Sequence, residues 1–557
     1  CPCPPHPAAP PHQNRLHTST KKMATLTVSQ ATSGPGSFAG RRENSASRGC
    51  MATAGAKPVR VRHLGVSILS PGRAVEGVAR EHRRWRVVTV ASSDPQVDVK
   101  STGAQASPAE CVGDPTGAFD RSVDTTASSA GPEQHALKLP SFQDVVAASI
   151  RIKNAIPPTP VWMSEALSKH TGMDLFLKGE HVNVTGSFKE RGARNALLLL
   201  APEQRRLGVV AASAGNHGLA LSYHGRDLGV PVTVVMPETA PLTKSSRCSA
   251  YGANVVLSGK NFTEAYEVAC TLCDTQGLTY INGYDDPPIL AGAGTVGLEI
   301  LSQVENVDAV IIPVGGGGLI AGMSMAIKSI RPEVLVIGVE PKRVASFSAA
   351  LEAGEPVGIK ANGATLADGL AVLKAGPHAF AVAKKYVDKV ICVPEKDISL
   401  GVLRLIEDEK LVTEGGGATA LAACLGDQLP ELKGKRVAIV LSGGNIDITT
   451  LGRVIERGLA ADKRLVHFSI IISDKPGGLA ALMGAIADER ASIKDCVHER
   501  AWLEDDVTTT EVNIVAETTG VDHVRGLHAR LSFEMSQPDS LIIRWGSRTL
   551  MDQHTSH

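Results

Sequence analysis

Short apolar segments alternate with helical segments through the middle of this chain, and this alternation limits the possible fold more than any other feature. In the clearest stretch three strands alternate with three helices, at residues 208–212, 217–229, 231–236, 242–252, 254–257 and from Phe262 onward. Such alternation predicts parallel sheets joined by right-handed crossovers. In open sheets of this kind, ligands bind in the loops that follow the strands. We therefore expect an α/β fold whose chemistry lies in those loops.

The charge balance argues against a polyanionic partner. Lys plus Arg and Asp plus Glu both number 57 in 557 residues, so the formal net charge is zero. No overall field therefore attracts nucleic acid or an anionic membrane. No apolar run reaches the ~20 residues that cross a bilayer. We expect a small-molecule partner, and neither nucleic acid nor a membrane.

The first part of the chain has a composition typical of an organelle transit peptide. Between Met23 and Arg86 the chain is rich in Ser, Ala and Arg and very poor in acidic residues. A disordered tail of the same composition is the alternative. We expect a disordered leader at residues 1–92 and a linker at residues 93–135.

Three glycine-rich loops follow predicted strands. They are SAGNH at residues 213–217, GGGG at 315–318 and LSGGN at 441–445. Backbone amides at the start of a helix bind anions, and glycines let the backbone approach a phosphate closely. The first loop is therefore a candidate for a carboxylate and the second for a phosphate. Each loop on its own is more often only a tight connection.

A fourth motif, TGSFKERGA at residues 185–193, contains Lys189. On its own this residue would be a solvated surface lysine. Together with the three loops, in this order and at these spacings, the motif resembles the signature of the fold-type II pyridoxal phosphate enzymes, and within them the threonine dehydratase and serine racemase group. The resemblance runs from about Leu139 to Gly458. It implies two open parallel-sheet α/β domains in residues 136–460, with a small domain at about 185–285 inserted in the large one.

The resemblance implies a role for each matching residue. Lys189 would hold pyridoxal 5'-phosphate as a Schiff base and would then remove the α proton of the substrate. The other residues expected to bind the cofactor are Phe188, Asn216, Gly315, Gly316, Gly317, Gly318, Leu319 and Ser442. The residues expected around the substrate carboxylate are Ser213, Ala214, Gly215, Asn216 and His217. Glu414 either approaches the cofactor or serves a helix dipole, and the sequence leaves both readings open.

The chemistry implied by the resemblance is β-elimination. A neutral Ser442 beside the cofactor ring nitrogen suits elimination better than transamination. L-Threonine would give 2-oxobutanoate and ammonia, and L-serine would give pyruvate. Ala214 argues against the alternative of a serine racemase, because racemases of this group carry a serine there as their second base. A non-catalytic amino acid-sensing protein is the alternative outside the enzymes.

Two further expectations follow from the resemblance. The racemase group has a cation site with a Glu and an Asp, and here Glu340 is present but the Asp position is Ser346. No metal is therefore firmly expected, with Glu340 as a possible ligand. Isoleucine biosynthesis would consume 2-oxobutanoate in a plastid, which favours the chloroplast stroma over a mitochondrion or the cytoplasm.

Residues 465–546 form a separate unit with a predicted βαββαβ order, which is that of a ferredoxin-like sandwich. This stretch resembles an ACT domain, in which the turn after the first strand commonly approaches an amino acid effector. Here the turn comprises Asp474, Lys475, Pro476, Gly477 and Gly478. A purely structural dimerisation domain is the alternative. We expect the last strand within residues 540–546, a tail at 547–557, and a homodimer or homotetramer.

Overall fold

The computed structural model of the chain describes residues 137–501, 507–534 and 541–545, with side chains described as far as Phe533. The predicted leader at residues 1–92, the linker at 93–135 and the tail at 547–557 lie outside these ranges. No helix within the described ranges is long and apolar enough to cross a bilayer.

The strands of the described residues are numbered here in chain order. They are β1 (Val161–Met163), β2 (Asp174–Lys178), β3 (Val209–Ala212), β4 (Val232–Met236), β5 (Asn254–Leu257), β6 (Thr279–Tyr280), β7 (Ala309–Pro313), β8 (Leu335–Pro341), β9 (Lys389–Val393), β10 (Arg436–Val440), β11 (Leu465–Ser473), β12 (Ser492–Glu499), β13 (Thr509–Glu517) and β14 (Leu541–Trp545).

The α-helices are numbered in the same way. They are α1 (Phe142–Ile152), α2 (Glu165–Thr171), α3 (Lys189–Leu199), α4 (Pro202–Leu207), α5 (Asn216–Leu228), α6 (Leu242–Ala250), α7 (Phe262–Gln276), α8 (Pro287–Gln303), α9 (Gly318–Ile330), α10 (Ser346–Ala353), α11 (Pro377–Tyr386), α12 (Glu395–Glu409), α13 (Gly415–Leu425), α14 (Ile448–Ala461), α15 (Gly478–Asp488) and α16 (Val521–Glu534). Short 3-10 turns lie at Glu180–Val182, Asp368–Leu370 and Pro430–Leu432.

The larger parallel sheet has the strand order β1-β2-β10-β7-β8-β9, and only β1 runs antiparallel to its neighbour. All five residues of β7 are buried. Val310 and Ile312 pack in one apolar cluster with α8 and α9, whereas Ala309 and Ile311 pack in another with α13. Helices therefore cover both faces, which explains why the strands read as continuous apolar runs. This sheet and its helices form the large lobe.

A second sheet, with the order β5-β4-β3-β6, is parallel throughout. Its strands and the helices α5, α6 and α7 form the small lobe. The strand at Asn254–Leu257 and the helix starting at Phe262 lie where the sequence predicts them. The two open parallel sheets confirm the predicted α/β fold class.

The C-terminal sheet is antiparallel, with the order β12-β13-β11-β14. Its elements follow one another as β11-α15-β12-β13-α16-β14, which is the predicted βαββαβ order. The core contains Phe468, Ile470, Leu482, Ile514 and Leu527, all of them buried between the sheet and the two helices. The last strand lies within residues 540–546, where SLIIRWG predicted it.

Candidate active site

A cavity of about 520 Å³ lies between the large lobe and the small lobe. Every residue predicted to contact the cofactor or the substrate carboxylate lines it, namely Phe188, Lys189, Ser213, Ala214, Gly215, Asn216, His217, Gly315, Gly316, Gly317, Gly318, Leu319 and Ser442. These residues come from four loops that are far apart in the sequence. The parallel sheets bring the loops together because each loop follows the carboxyl end of a strand or starts a helix.

Lys189 is the first residue of α3 and lies on the cavity wall. Its Nζ donates a hydrogen bond to the carbonyl oxygen of Gly283 at 2.6 Å and lies 5.1 Å from the centre of the Phe188 ring. Burial lowers the pKa of Lys189 to about 8, although the nearby Glu414 opposes this shift. The amine can therefore lose its proton close to neutral pH, as a base or nucleophile requires.

The two residues after Lys189 anchor its helix. The Arg191 side chain is fully buried and pairs with Glu180 at 2.8 Å and with Glu299 at 2.5 Å. Glu190 is buried as well, and it contacts His224 Nε2 at 3.1 Å. Sequence reasoning gave no role to Glu190 or Arg191. The Arg191 charge is paired with two carboxylates, and Glu190 contacts His224 of α5, so both residues tie α3 to neighbouring elements.

The Ser213–His217 loop lies at the start of α5. The Ser213 hydroxyl accepts hydrogen bonds from the amides of Gly215 at 3.3 Å and Gly218 at 3.1 Å, which fixes the loop. A Cβ added at Gly215 would have no atom within 4 Å, so the backbone here is open to the cavity. Amides at a helix start are suited to a carboxylate.

His217 has a different environment from the rest of this loop. Its side chain is buried against Gly283, and Nε2 lies 3.0 Å from the carbonyl oxygen of Ile281. Burial and the neighbouring Lys189 lower the pKa of His217 to about 3. The ring is therefore neutral at physiological pH, and any attraction of the loop for an anion comes from its amides and from the dipole of α5.

The glycine loop, Gly315 to Gly318, leads into the 13-residue helix α9, which begins at Gly318. Gly317 has a φ of +96°, which favours glycine, and a Cβ added at Gly316 would lie 2.2 Å from the Tyr284 ring. Within the described part of the chain, none of the amides of Gly315, Gly316, Gly317 and Gly318 donates to a protein acceptor. Free amides at a helix start form a site for a phosphate.

Ser442 and Glu414 occupy the side of the cavity that belongs to the large lobe. The Ser442 hydroxyl is buried and donates to the carbonyl oxygen of Gly416 at 3.3 Å. Glu414 precedes α13, and its Oε1 accepts a hydrogen bond from Asn216 Nδ2 at 2.7 Å. Burial raises the pKa of Glu414 to about 7. Of the two readings left open by the sequence, the structure supports the one in which Glu414 belongs to the cavity.

Several residues that line the cavity were not singled out from the sequence. The loop Asn282–Asp286 supplies the carbonyl oxygen that accepts from Lys189 and the Tyr284 ring that packs on Gly316. At the cavity mouth, Lys244 of α6 pairs with Asp368 at 2.9 Å. No local motif marks this ion pair, because 124 residues separate its two members.

The carboxylate of Glu340, the possible cation ligand, is hydrogen-bonded to the first turn of α10. The oxygens accept hydrogen bonds from the amides of Phe347 at 2.7 Å and Ser348 at 2.8 Å, and from the Ser348 hydroxyl at 2.7 Å. Such an acid at the first turn of α10 stabilises the helix. Among the described residues, no group of three or more His, Cys, Asp or Glu side chains could hold a metal ion. The hydrogen bonds show Glu340 accepting from the first turn of α10, and its role as a possible cation ligand stays a prediction.

The predicted effector turn, Asp474 to Gly478, lies between β11 and α15. Asp474 accepts two hydrogen bonds from the guanidinium of Arg500, at 2.7 and 2.9 Å. Gly477 has a φ of +102°, and a Cβ added at Gly478 would lie 2.3 Å from the Ser473 carbonyl oxygen. The turn, which also contains Lys475 and Pro476, is therefore tight and carries an ion pair on the protein surface.

Comparison with known proteins gives matches over the same part of the chain. The family model described as "Pyridoxal-phosphate dependent enzyme" matches residues 152–443. An L-threonine ammonia-lyase of Thermotoga maritima is 41% identical over 384 residues, which are 69% of this chain and 95% of the relative. An L-threonine ammonia-lyase of Geobacter sulfurreducens is 40% identical over 384 residues, with the same shares of 69% and 95%.

Two solved structures agree with these matches. The processed form of threonine deaminase isoform 2 from Solanum lycopersicum has a TM-score of 0.55 and 34% identity, covering 59% of this chain and 98% of that one. Serine racemase from Dictyostelium discoideum has a TM-score of 0.53 and 36% identity, covering 56% of this chain and 99% of that one. The family match spans more than half of the chain and includes Lys189, the glycine loop and Ser442. This chain therefore belongs to the family of pyridoxal-phosphate-dependent enzymes.

Proposed function

We propose that this enzyme eliminates water from L-threonine, after which hydrolysis releases ammonia and leaves 2-oxobutanoate. L-Serine would give pyruvate and ammonia in the same way. The observation that carries the proposal is a single cavity that joins Lys189, the Ser213–His217 loop and the glycine loop. Relatives named L-threonine ammonia-lyase and a structural neighbour named threonine deaminase support threonine as the substrate.

The residues of the cavity fit pyridoxal phosphate. The free amides of Gly315 to Gly318 would hold the phosphate, and a side chain at Gly316 would collide with Tyr284. Lys189 provides the amine, and Ser442 provides a neutral hydroxyl for the ring nitrogen. When bound, pyridoxal phosphate supplies an electron-withdrawing system that makes the α proton of an attached amino acid acidic.

Lys189 would move the α proton. A lysine at its ordinary pKa is almost fully protonated at neutral pH, whereas the pKa of about 8 leaves part of Lys189 as the free amine. The Gly283 carbonyl at 2.6 Å and the Phe188 ring restrict where Nζ can lie. The amine is thus held at the cavity wall in a state that can accept a proton.

The Ser213–His217 loop would hold the substrate carboxylate. The loop lines the cavity, Gly215 has no side chain to cover its backbone there, and the neutral His217 adds no charge of its own. Fixing the carboxylate at this point sets which bond of the α carbon faces Lys189.

Ala214 favours elimination over racemisation. It lines the cavity within the carboxylate loop, but its methyl group cannot exchange a proton. Serine racemases are among the structural neighbours, so the alternative needs a direct test. A racemase would need a second acid or base on the face of the α carbon opposite Lys189.

The C-terminal sheet is proposed to be an ACT-like regulatory domain that binds an amino acid effector at Asp474 to Gly478. The predicted βαββαβ order and the tight turn after β11 support this assignment. A homodimer or homotetramer, a transit peptide, a plastid location and a part in isoleucine biosynthesis remain proposals that rest on the sequence.

The experiment is a substrate panel with the full chain and added pyridoxal phosphate. Release of 2-oxo acid and ammonia is measured from L-threonine, L-serine and their D forms, and D-serine formation from L-serine is followed by chiral separation. Elimination from the L forms without D-serine is the expected result. Formation of D-serine at a rate comparable to elimination would contradict the reading of Ala214.

A further inference from the structure

Three hydrogen bonds in series cross between the two lobes beside the cavity. Arg247 Nη1 donates to Asn445 Oδ1 at 2.9 Å, and Asn445 Nδ2 donates to Asn216 Oδ1 at 2.8 Å. Asn216 Nδ2 in turn donates to Glu414 Oε1 at 2.7 Å. This series is called the Arg247–Glu414 chain below. In each of the three bonds the donor lies on the Arg247 side and the acceptor on the Glu414 side. Bonds aligned in this way polarise and strengthen one another.

The orientation of the Asn445 amide is fixed from two sides. A guanidinium can only donate, so the oxygen of the amide must face Arg247. The Asn445 Nδ2 group also donates to the carbonyl oxygen of Thr185 at 2.7 Å, and a carbonyl can only accept. A reversed amide would lose both contacts. Asn445 therefore presents an N–H group, and not an oxygen, to Asn216.

This orientation determines which atom Asn216 turns toward a ligand. Because Asn216 Oδ1 accepts from Asn445, its Nδ2 lies on the side of Glu414. That nitrogen carries two hydrogens, and Glu414 takes one. Within the described residues the other has no hydrogen-bond acceptor, and Asn216 lines the cavity. With the reversed amide, Asn216 would offer an oxygen in place of a donor.

Two glycines leave the space that the side chains of the Arg247–Glu414 chain occupy. Gly186 has a φ of +80°, and a Cβ added there would lie 2.6 Å from Asn445 Oδ1. A Cβ added at Gly443 would lie 2.3 Å from Glu414 Oε1 and 3.2 Å from Asn216 Nδ2. Side chains at these positions would displace the very atoms that form the hydrogen bonds.

The Arg247–Glu414 chain also depends on the position of α6. Arg247 and Lys244 lie one turn apart on this helix, and Lys244 pairs with Asp368 of the large lobe at 2.9 Å. Helix α6 is thus tied to the large lobe at two points, and one of them continues to Asn216.

We propose that Arg247 and Asn445 are positioning residues for the reaction. They hold the Asn216 amide in the orientation that offers an N–H group to the cofactor, and Arg247 contributes to this orientation only while α6 is packed against the large lobe. The inference rests on the proposed function, since it gives these residues a part in the same site.

The decisive variant is Asn445→Asp, which keeps the shape and replaces the N–H donor by an oxygen that faces Asn216 Oδ1. We expect bound pyridoxal phosphate with a shifted absorbance spectrum and a shifted pH titration of that spectrum. The kcat for L-threonine falls by about tenfold or more, because a misdirected group costs rate even when binding persists. Arg247→Met should give a smaller change in the same direction, and Arg247→Lys, which keeps a donor, should restore part of it.

The matched controls are Asn254→Asp on the exposed edge strand β5 and Arg206→Met on the surface of α4, neither of which should alter the spectrum. A spectrum and a kcat in Asn445→Asp equal to those of the wild type would overturn the proposal. If that variant does not fold, Arg247→Met decides in the same way. A wild type that binds the cofactor without turning over L-threonine contradicts the proposed function, and the spectral comparison still tests the positioning.

Discussion

The catalytic lobes and the C-terminal sheet differ in whether their ionisable side chains are buried. On the cavity wall, burial brings the pKa of Lys189 to about 8 and that of Glu414 to about 7. In the C-terminal sheet, Asp474 meets an Arg500 side chain that is 62% exposed, and this pair simply lowers the pKa of the acid. A buried ionisable group with a shifted pKa that also lines a cavity is a candidate for function, whereas an exposed ion pair contributes little to stability.

One glycine of each region, Gly316 and Gly484, differs in the space around it. A side chain at Gly316 in the cavity would overlap the Tyr284 ring, whereas one at Gly484 in α15 would meet no atom within 4 Å. The shape of the cavity therefore depends on the absence of a side chain at Gly316 as well as on the side chains that line it. The C-terminal sheet is held together by its apolar core. A regulatory role for this sheet is a proposal that needs a direct measurement.

The largest effect is expected from Lys189→Ala. Elimination from L-threonine should fall by roughly 10³-fold or more, because the variant lacks the amine that accepts the α proton. The absorbance band of covalently held pyridoxal phosphate should disappear as well. Lys169→Ala on the exposed end of α2 is the control and should keep both. An active Lys189→Ala variant would contradict the assignment of the base.

Gly316→Ala and Gly484→Ala test the contrast between the two regions directly. The first should weaken binding of pyridoxal phosphate by roughly 100-fold, since the loop must move away from Tyr284. The second should stabilise the protein by about 0.4–1 kcal/mol, because alanine is less free in the unfolded chain. Equilibrium dialysis and thermal unfolding measure the two quantities. If Gly484→Ala weakened binding of pyridoxal phosphate as much as Gly316→Ala does, the distinction between the two regions would be wrong.

The pKa of Lys189 predicts how fast the cofactor-free protein takes up pyridoxal phosphate. Only the neutral amine attacks the aldehyde, so the rate should rise about tenfold per pH unit and level off above a pH of about 8. Stopped-flow absorbance at several pH values measures this rate. A rise that continues to the ordinary lysine pKa near 10.5 would mean that Lys189 is solvated.

The smallest effect is expected from Asp474→Asn in the C-terminal sheet. Without effector, kcat for L-threonine should change by less than about twofold, because the pair with Arg500 is exposed. If the turn binds an effector, the response of the wild type to a panel of L-amino acids should be lost in this variant. An unchanged response would favour a purely structural role for the sheet.

The sequence predicted the parts of the fold and site that depend on local pattern. Strand β5, the start of α7 and the βαββαβ order follow from apolar periodicity and turns. The four cavity loops were recognisable because each has a dense motif. Lys189 and Ser442 line one cavity, as the resemblance to the fold-type II enzymes implied.

What the sequence did not predict depends on partners that are distant along the chain. Arg247 and Asn445 are 198 residues apart, and although Asn445 ends the LSGGN loop, nothing in its segment shows that it contacts Arg247. Arg191 reads as a surface residue until its carboxylate partners Glu180 and Glu299 surround it. The sequence offered Glu340 only as a possible cation ligand, and its hydrogen bonds to the start of α10 appear only in three dimensions.

We propose that Lys189 and its cavity deaminate L-threonine. The most direct test is the yield of 2-oxobutanoate and ammonia from L-threonine by the full chain loaded with pyridoxal phosphate. We expect both products in equal amounts from the wild type, and release slower by roughly 10³-fold or more from the Lys189→Ala variant. A loaded wild type that releases neither product from L-threonine or L-serine would contradict the proposal.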